Sequence, residues 1–163
     1  MSIELSAEQE KQVQDRIDER VCIEKANLLK LMKDHFGEEA YHVFAKADGE
    51  EVRILARMRA EELGDNSIEA LINELFEASR EHGTEYSMTK TDSGYQIKCT
   101  KCRTYNIAER LGITEQMYYM NCTADPYIAE GFNPNIGFKR TKTRMHGDEY
   151  CDHFYYYKIV SIK

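Results

Sequence analysis

The segment 85–100, EYSMTKTDSGYQIKCT, decides the fold class because it is the first part of the chain with a β pattern. Its flanks, 85–91 and 95–100, are rich in Thr, Tyr and Ile, which favour strands. Between them, Thr-Asp-Ser-Gly supplies residues that tolerate a tight turn. The segment therefore predicts an antiparallel hairpin.

Residues 1–83, before this hairpin, have helical patterns instead. Ser6 with Gln9 three residues later forms a capping box, and an apolar stripe follows it at Val13, Ile17 and Val21. Further helices are predicted over 26–36, 37–47 and 50–63 and from an N-cap at Asn66, with ends at Gly37, Asp48-Gly49 and Gly64.

The residues after the hairpin predict two short helices, over 103–111 and 114–122, and two strands, over 136–145 and 150–162. The predicted architecture is α+β, with N-terminal helices packed on one antiparallel β-sheet formed mainly by the C-terminal half. A chain of 163 residues suits one domain, so we expect a single domain over 1–163. Its helical layer is 1–83, and 84–163 carries the sheet, two short helices and the candidate site.

Composition argues against membrane residence and secretion. No apolar run approaches the roughly 20 residues that span a bilayer, and the first residues lack the pattern of a signal peptide. We therefore expect a cytoplasmic protein with no membrane partner. In a reducing compartment its five cysteines should be mostly free thiols.

The charge is unevenly distributed along the chain. The net charge of -7 argues against nucleic-acid binding, which needs a basic face. Residues 1–83 carry 11 basic and 20 acidic side chains, whereas 84–163 carry 11 and 9. The C-terminal half is therefore where a small anionic molecule could bind.

Cys99 and Cys102 are separated by two residues, which is the spacing of half a zinc site. A structural zinc site usually has a second close pair, which the single Cys122 and Cys151 do not provide. A redox pair is also an alternative, although the strand-to-helix context of such pairs is only partly met. For Cys99 a small buried side chain is the favoured interpretation.

Cys151 and His153 are one residue apart in a predicted strand, so their side chains leave the same face of the sheet. At about 3.3 Å per residue, their Cα atoms lie roughly 6 to 7 Å apart and could serve one pocket. The ordinary alternative is that this face is core.

The preceding predicted strand is basic. Alternation would place Arg140, Lys142 and Arg144 on one face. An Arg beside a cysteine favours the thiolate, and Arg binds carboxylates with two hydrogen bonds, so this strand suits a small anionic substrate. A solvated edge strand protected by charge is an equally good interpretation.

Cys122 precedes Asp125-Pro126 by three residues. A thiol at a helix end near a carboxylate could be a nucleophile with a proton carrier, or with a group that holds a cationic nitrogen. By spacing alone, a helix end followed by an Asp-Pro turn is the better interpretation.

Taken together, these pieces resemble the L-2-amino-thiazoline-4-carboxylic acid hydrolase family. The resemblance lies in the order and spacing of several motifs: Cys102 before Leu111-Gly112, Cys122-x-x-Asp125, Gly131-Phe132-Asn133-Pro134, Arg140-Thr141-x-Thr143, and Gly147 four residues before Cys151-Asp152. Two features depart from the family pattern. His153 stands between Cys151-Asp152 and Phe154, and Cys99 is an extra cysteine beside Cys102.

The resemblance implies hydrolysis of a cyclic amidine-like thiazoline carboxylate, which opens the ring to an N-carbamoyl-cysteine. It implies Cys122 or Cys151 as the nucleophile and Asp125 as the group that holds or protonates the ring nitrogen. As a hypothesis, the substrate-binding residues are Cys102, Arg140, Thr141, Thr143, Gly147 and His153. We expect no cofactor and no metal, and a homo-oligomer is compatible with the sequence.

Two other functions stay open at this point. The same pocket could belong to a non-catalytic sensor or binding domain for an organic acid, because a fold does not determine an activity. A zinc-dependent hydrolase with Cys and His ligands is the third alternative.

Overall fold

The computed structural model describes residues 6–158, which begin with two long helices. Helix α1 (Ala7–Phe36) starts at the predicted capping box, where Ser6 Oγ accepts the Gln9 N–H, and it ends at Gly37. Helix α2 (Glu39–Leu63) ends at Gly64, which has the left-handed conformation that favours glycine. Each long helix replaces two shorter predicted ones.

Gly49 shows why the predicted break in α2 is wrong. A Cβ atom at this position would lie 2.6 Å from the Tyr127 ring, so the glycine permits close packing inside a continuous helix. The sequence signal was real, but its cause is a tertiary contact instead of a helix end.

The apolar stripe of α1 is solvent-exposed. Val13, Ile17 and Val21 are each between 44% and 49% exposed, whereas Ala26 and Leu29 are buried. Ion pairs from the other side of this helix hold it against the body of the protein, including those of Asp15 and Asp18 with Arg103. Within residues 6–158, no helix combines the length and the apolar content needed to cross a bilayer.

A third helical segment follows α2. Ser67, one residue after the predicted cap, accepts the Ala70 N–H and starts α3 (Ile68–Ile72). The segment continues through a π-helical turn (Asn73–Glu77) into α4 (Ala78–Arg80). The wider π-helical turn matters because it holds Leu75 and Phe76 on the candidate site.

The sheet has four antiparallel strands in the order β1-β2-β4-β3. The predicted hairpin is confirmed as β1 (Glu85–Thr91) and β2 (Gly94–Lys101). The other two strands are β3 (Ile136–Lys139) and β4 (Cys151–Tyr157). The predicted end of the last strand, 159–162, lies outside the described residues.

The predicted basic strand is wrong beyond Lys139. The backbone N–H groups of Thr141 and Lys142 donate to the Asp152 carboxylate at 2.8 and 2.5 Å instead of continuing the ladder. Arg140, Lys142 and Arg144 therefore do not share a strand face, and Arg144 begins a 3₁₀ turn.

Three helices connect β2 to β3. Helices α5 (Arg103–Leu111) and α6 (Thr114–Met120) match the two predicted ones closely. Helix α7 (Asp125–Phe132) was not predicted, because its start at Asp125-Pro126 also fits a turn. A proline in the first turn of a helix loses no hydrogen bond, so it can begin a helix.

The core lies between the sheet and the helices, which confirms the α+β arrangement. Buried side chains of α2, α3, the π-helical turn and α7 meet those of β2, β3 and β4 in one apolar cluster. Its most buried members are Ile68, Ile97, Ala129 and Tyr155. Burying each large side chain contributes roughly 1.5 to 3 kcal/mol before the entropy of folding is subtracted.

Candidate active site

A cavity of about 310 Å³ opens beside the buried face of the sheet. Side chains from β2, β4, α5, the start of α7 and the π-helical turn line it. Six of the nine residues predicted for the site lie on its walls: Cys102, Cys122, Asp125, Arg140, Cys151 and His153. The fold therefore brings together residues that are up to 51 positions apart in the sequence.

The floor of the cavity comes from paired strands. Cys99 of β2 lies opposite Cys151 of β4, and Ile97 lies opposite His153. The predicted alternation of β4 is confirmed, because Cys151, His153 and Tyr155 are buried on one face. The Phe76 ring packs on His153 with their centroids 5.3 Å apart.

Cys102 occupies the wall formed by α5. It is the N-cap residue of this helix and is half-buried. The neighbouring Cys99 thiol lowers the pKa of Cys102 well below its usual range, and the backbone N–H groups of Tyr105 and Thr104 act in the same direction. The Cys102 side chain makes no hydrogen bond of capping geometry, so the N–H groups act as nearby dipoles.

The pKa of Cys99 is shifted in the opposite direction, upward. Contact with Cys102 raises the pKa of Cys99 first, and burial raises it further. The two sulfurs share one proton, which Cys99 retains. Cys102 is therefore the thiolate of this pair.

Asp125 and Arg140 form an ion pair on the facing wall. Their side chains are only 18% and 9% exposed, and Arg140 also donates to the backbone oxygen of Cys122 at 2.9 Å. Burial raises the pKa of Asp125 to about 6, although Arg140 acts to lower it. The carboxyl group can therefore gain or lose a proton near neutral pH.

Cys122 and Cys151 remain protonated thiols at neutral pH. Burial raises the pKa of Cys122 to about 12, and the negative charge of Asp125 adds to this effect. Burial also raises the pKa of Cys151, whose sulfur accepts the Arg144 N–H at 3.3 Å. Both sulfurs are poorer nucleophiles than the Cys102 thiolate.

His153 is neutral and has a free ring nitrogen. Burial lowers the pKa of His153 to about 3, with a further contribution from the charge of Arg140. Its Nε2 lies 3.7 Å from the Asp125 carboxylate. Within the described part of the chain its Nδ1 is buried and has no hydrogen-bond partner.

The other three predicted residues do not line this cavity. Thr141 is exposed and donates its hydroxyl to Asp152, while Thr143 is buried with its hydroxyl 3.8 Å from the Cys151 sulfur. Gly147 ends the 3₁₀ turn with a φ of +93°. These residues shape the loop before β4.

The sequence interpretation missed the apolar wall of the cavity and the lining residues Arg103 and Thr104. Leu75, Phe76 and Ile128 form an apolar wall, and Arg103 and Thr104 follow Cys102 at the start of α5. From the sequence, only the position of Arg103 next to Cys102, at the start of a predicted helix, was visible. Across residues 6–158, no group of three or more His, Cys, Asp or Glu side chains has the arrangement of a metal site.

A protein-family model described as L-2-amino-thiazoline-4-carboxylic acid hydrolase matches residues 14–155. The chain belongs to this family. The match covers most of the chain, including every residue of the cavity wall named above, and it confirms the resemblance found in the sequence motifs. No curated protein matches the chain.

Two solved structures are similar to this family member. The first is the trafficking protein particle complex subunit 3 from Naegleria fowleri, covalently bound to palmitic acid. It has a TM-score of 0.57 and 11% identity, with 91% of this chain and 99% of that chain covered. The second is the phenol-responsive sensory domain of the transcription activator PoxR with phenol, with a TM-score of 0.54, 12% identity and coverage of 81% and 72%. At these identities the similarity shows the fold alone.

Proposed function

We propose that this protein hydrolyses a small cyclic amidine-like carboxylate, with Cys102 as the nucleophile. The family match supports a hydrolase, and the position of one cysteine together with its lowered pKa supports the choice of thiol. Cys102 lies on the cavity at the start of α5 and has the lowered pKa, whereas the pKa values of Cys122 and Cys151 are raised. The proposal thus moves the nucleophile from the two cysteines favoured by the sequence to a third one.

In the proposed first step, the Cys102 thiolate adds to the carbon of the substrate C=N bond. A bond forms between the enzyme sulfur and this carbon, and the electron pair of the C=N bond moves to the nitrogen, which takes a proton. The ring carbon–sulfur bond then breaks, and the released substrate sulfur becomes a thiol. The product of this step is an S-linked amidine on Cys102.

Water resolves this adduct in the second step. Its oxygen bonds to the amidine carbon, Asp125 accepts a proton from it, and the bond to Cys102 breaks to restore the thiolate. One water molecule is consumed, and the product is an N-carbamoyl-cysteine-like compound. A carboxyl group with a pKa of about 6 can both accept and return this proton near neutral pH.

Arg140 and His153 both lie close to Asp125. Arg140 already donates to Asp125 and to the Cys122 backbone, so we assign it the role of holding the carboxyl group in place. The neutral His153 ring would contact the substrate beside Asp125. The substrate carboxylate would lie near Arg103, which lines the cavity and also pairs with Asp15 and Asp18. Thr141, Thr143 and Gly147 would support the loop that holds Cys151.

The test is hydrolysis of L-2-amino-thiazoline-4-carboxylate by the purified chain, followed by product analysis of quenched samples. Cys102→Ser should lower turnover by at least about 10³-fold, because a serine hydroxyl is a much weaker nucleophile. Cys22→Ser is the matched control, since Cys22 of α1 packs against the cluster of Ala108, Met117 and Met145 and does not line the cavity. Full activity of Cys102→Ser would exclude Cys102 as the nucleophile.

The second candidate function is that of a sensor, which binds a small organic molecule and does not convert it. The apolar wall of Leu75, Phe76 and Ile128 favours it, as does the fold shared with a phenol-responsive sensory domain. Turnover separates the two proposals. A sensor would bind its ligand with the same affinity in Cys102→Ser and would form no ring-opened product in either protein.

A further inference from the structure

Exposed apolar side chains are concentrated on the two long helices. Of the fourteen large apolar side chains that are exposed within residues 6–158, seven lie on α1 and five on α2. The other two are Met88 and Tyr157. Single exposed apolar side chains are ordinary, but a continuous apolar surface marks an interaction site. The larger share on α1 makes this helix the strongest candidate for a partner surface.

Four of these side chains form a narrow stripe along α1, which we call the α1 seam: Ile17, Val21, Leu28 and Leu31. They are between 44% and 60% exposed. Glu24 and His35 complete the same stripe, so that its six positions are separated by four and three residues in alternation. This is the heptad spacing of a helix that packs along a second helix.

The body of the protein does not cover this seam. With 3.6 residues per helical turn, the buried Ala26 and Leu29 lie on the opposite side of α1. Among the described side chains of α1, Ala26 is the first buried one, and the preceding stretch 7–25 is tied to the body by ion pairs with Arg103 and Arg110. Partly exposed ion pairs contribute little, and an isolated helix of this length is marginally stable in water. A partner on the seam would supply the burial that this half of α1 lacks.

We propose that the α1 seam binds the same seam of a second copy of this chain, so that two α1 helices pack antiparallel about a two-fold axis. Such an interface uses one patch on both copies, and the patch must therefore complement itself. In the antiparallel register, Val21 of each copy faces Leu31 of the other, and Leu28 faces Glu24. The leucines and valines then form one continuous apolar contact along the axis.

The charges beside the seam favour a second copy in this orientation. The antiparallel register places Arg20 of each copy beside Asp34 of the other, so two pairs of opposite charge flank the apolar contact. A parallel pair would place Glu24 against Glu24, and Arg20 beside Lys25 of the other copy, which are like-charge contacts. Within one chain Arg20 pairs with Glu24 and Asp34 with Lys30, and these side chains are at least half exposed, so they are free to exchange partners.

The experiment measures the molar mass of the reduced full-length chain by sedimentation equilibrium over a range of concentrations. We expect twice the chain mass of 19.0 kDa. Leu28→Lys should raise the dissociation constant of the dimer at least about 100-fold, because it places a charge on each copy in the apolar contact. Leu28 is 60% exposed in the single chain, so circular dichroism of the variant should be unchanged. Met88→Lys, at an exposed position of β1, is the control and should leave the dimer intact.

A charge exchange tests the orientation. Arg20→Glu and Asp34→Arg should each raise the dissociation constant about 10-fold, and the double variant should restore it to within about threefold of the wild type. The double variant still lacks both pairs within the chain, so the recovery can come only from contacts between copies.

Three results would overturn the inference: a wild-type protein that stays monomeric, a dimer that Leu28→Lys leaves intact, or a double variant as weak as the single ones. The readout is a molar mass, so it does not depend on ring opening. A dimer without turnover would support this inference and remove the proposed function, whereas a monomer with turnover would do the opposite.

Discussion

The two walls of the cavity carry thiols that respond to their surroundings in opposite ways. On the α5 wall, Cys102 has a neighbouring thiol and backbone N–H groups around it, and its pKa is lowered. On the facing wall, Cys122 is buried beside the Asp125 carboxylate, and its pKa is raised to about 12. Both sulfurs line the same small space.

This difference separates two chemical roles. A wall rich in N–H dipoles stabilises a negative sulfur, and a wall with a buried carboxyl group suits proton transfer. Our account therefore assigns attack to the α5 wall and proton movement to the Asp125 wall. A variant that disturbs one wall should leave the thiol reactivity or proton transfer of the other wall nearly unchanged.

Asp125→Asn should have the largest effect on turnover after loss of Cys102. Removing a general acid and base typically costs 10² to 10⁴-fold, so we expect a loss of at least about 10²-fold in turnover. The rate of Cys102 alkylation should change by less than about threefold, because the α5 wall is intact. Parallel kinetics and alkylation measurements check both expectations, and equal losses in both would contradict the division between the walls.

Arg140→Met should destabilise the fold. It leaves the Asp125 carboxyl group buried without its ion-pair partner, and breaking a buried pair costs about 3 kcal/mol. Urea unfolding at pH 7 measures this loss. Lys139→Met is the control because Lys139 is exposed, and it should change the free energy of unfolding by less than about 0.5 kcal/mol.

The pH dependence of stability gives a smaller effect with a defined sign. The folded-state pKa of Asp125 is about 6, above its ordinary value, so the native state binds this proton more tightly than the unfolded state. The resulting stabilisation is present below about pH 4 and is lost as the pH rises through 6.

Asp125→Asn removes this dependence. Between pH 4 and pH 7, the wild-type protein should lose on the order of 2 kcal/mol of unfolding free energy relative to Asp125→Asn. Urea titrations of both proteins at several pH values provide the difference. Parallel stability curves for the two proteins would mean that the Asp125 pKa is not raised.

Gly131→Ala should disturb the Asp125 wall only. A Cβ atom at Gly131 would lie 2.2 Å from the Arg53 carbonyl oxygen, so α7 must shift away from α2. We expect a stability loss of about 1 to 3 kcal/mol and lower turnover, since α7 begins at Asp125. Glu130→Ala, at an exposed position of the same helix, is the control.

Local signals predicted the elements that local contacts determine. The hairpin, helix α5 and the caps at Ser6 and Gly64 follow from turn residues, cap side chains and glycines that act within a few residues. The break at Gly49 was wrong because the glycine responds to Tyr127, which is 78 positions away. No local pattern contains that contact.

The same distinction applies to the site. The motif spacing selected six residues that do meet in the cavity, but it could not rank their thiols. The pKa of Cys102 depends on the orientation of Cys99 and of the first turn of α5, and that of Cys122 depends on burial beside Asp125. Both causes exist only after folding.

The most direct test of the two-wall account is the pH dependence of alkylation, resolved by peptide. Reduced protein is treated with iodoacetamide from pH 5 to 9, and the modified fractions of Cys102 and Cys122 are measured by mass spectrometry. The account predicts that Cys102 reaches its maximal rate by about pH 7 and reacts at least about 10-fold faster than Cys122. A Cys102 rate that still rises steeply above pH 8, or a Cys122 rate that equals it, would contradict the account.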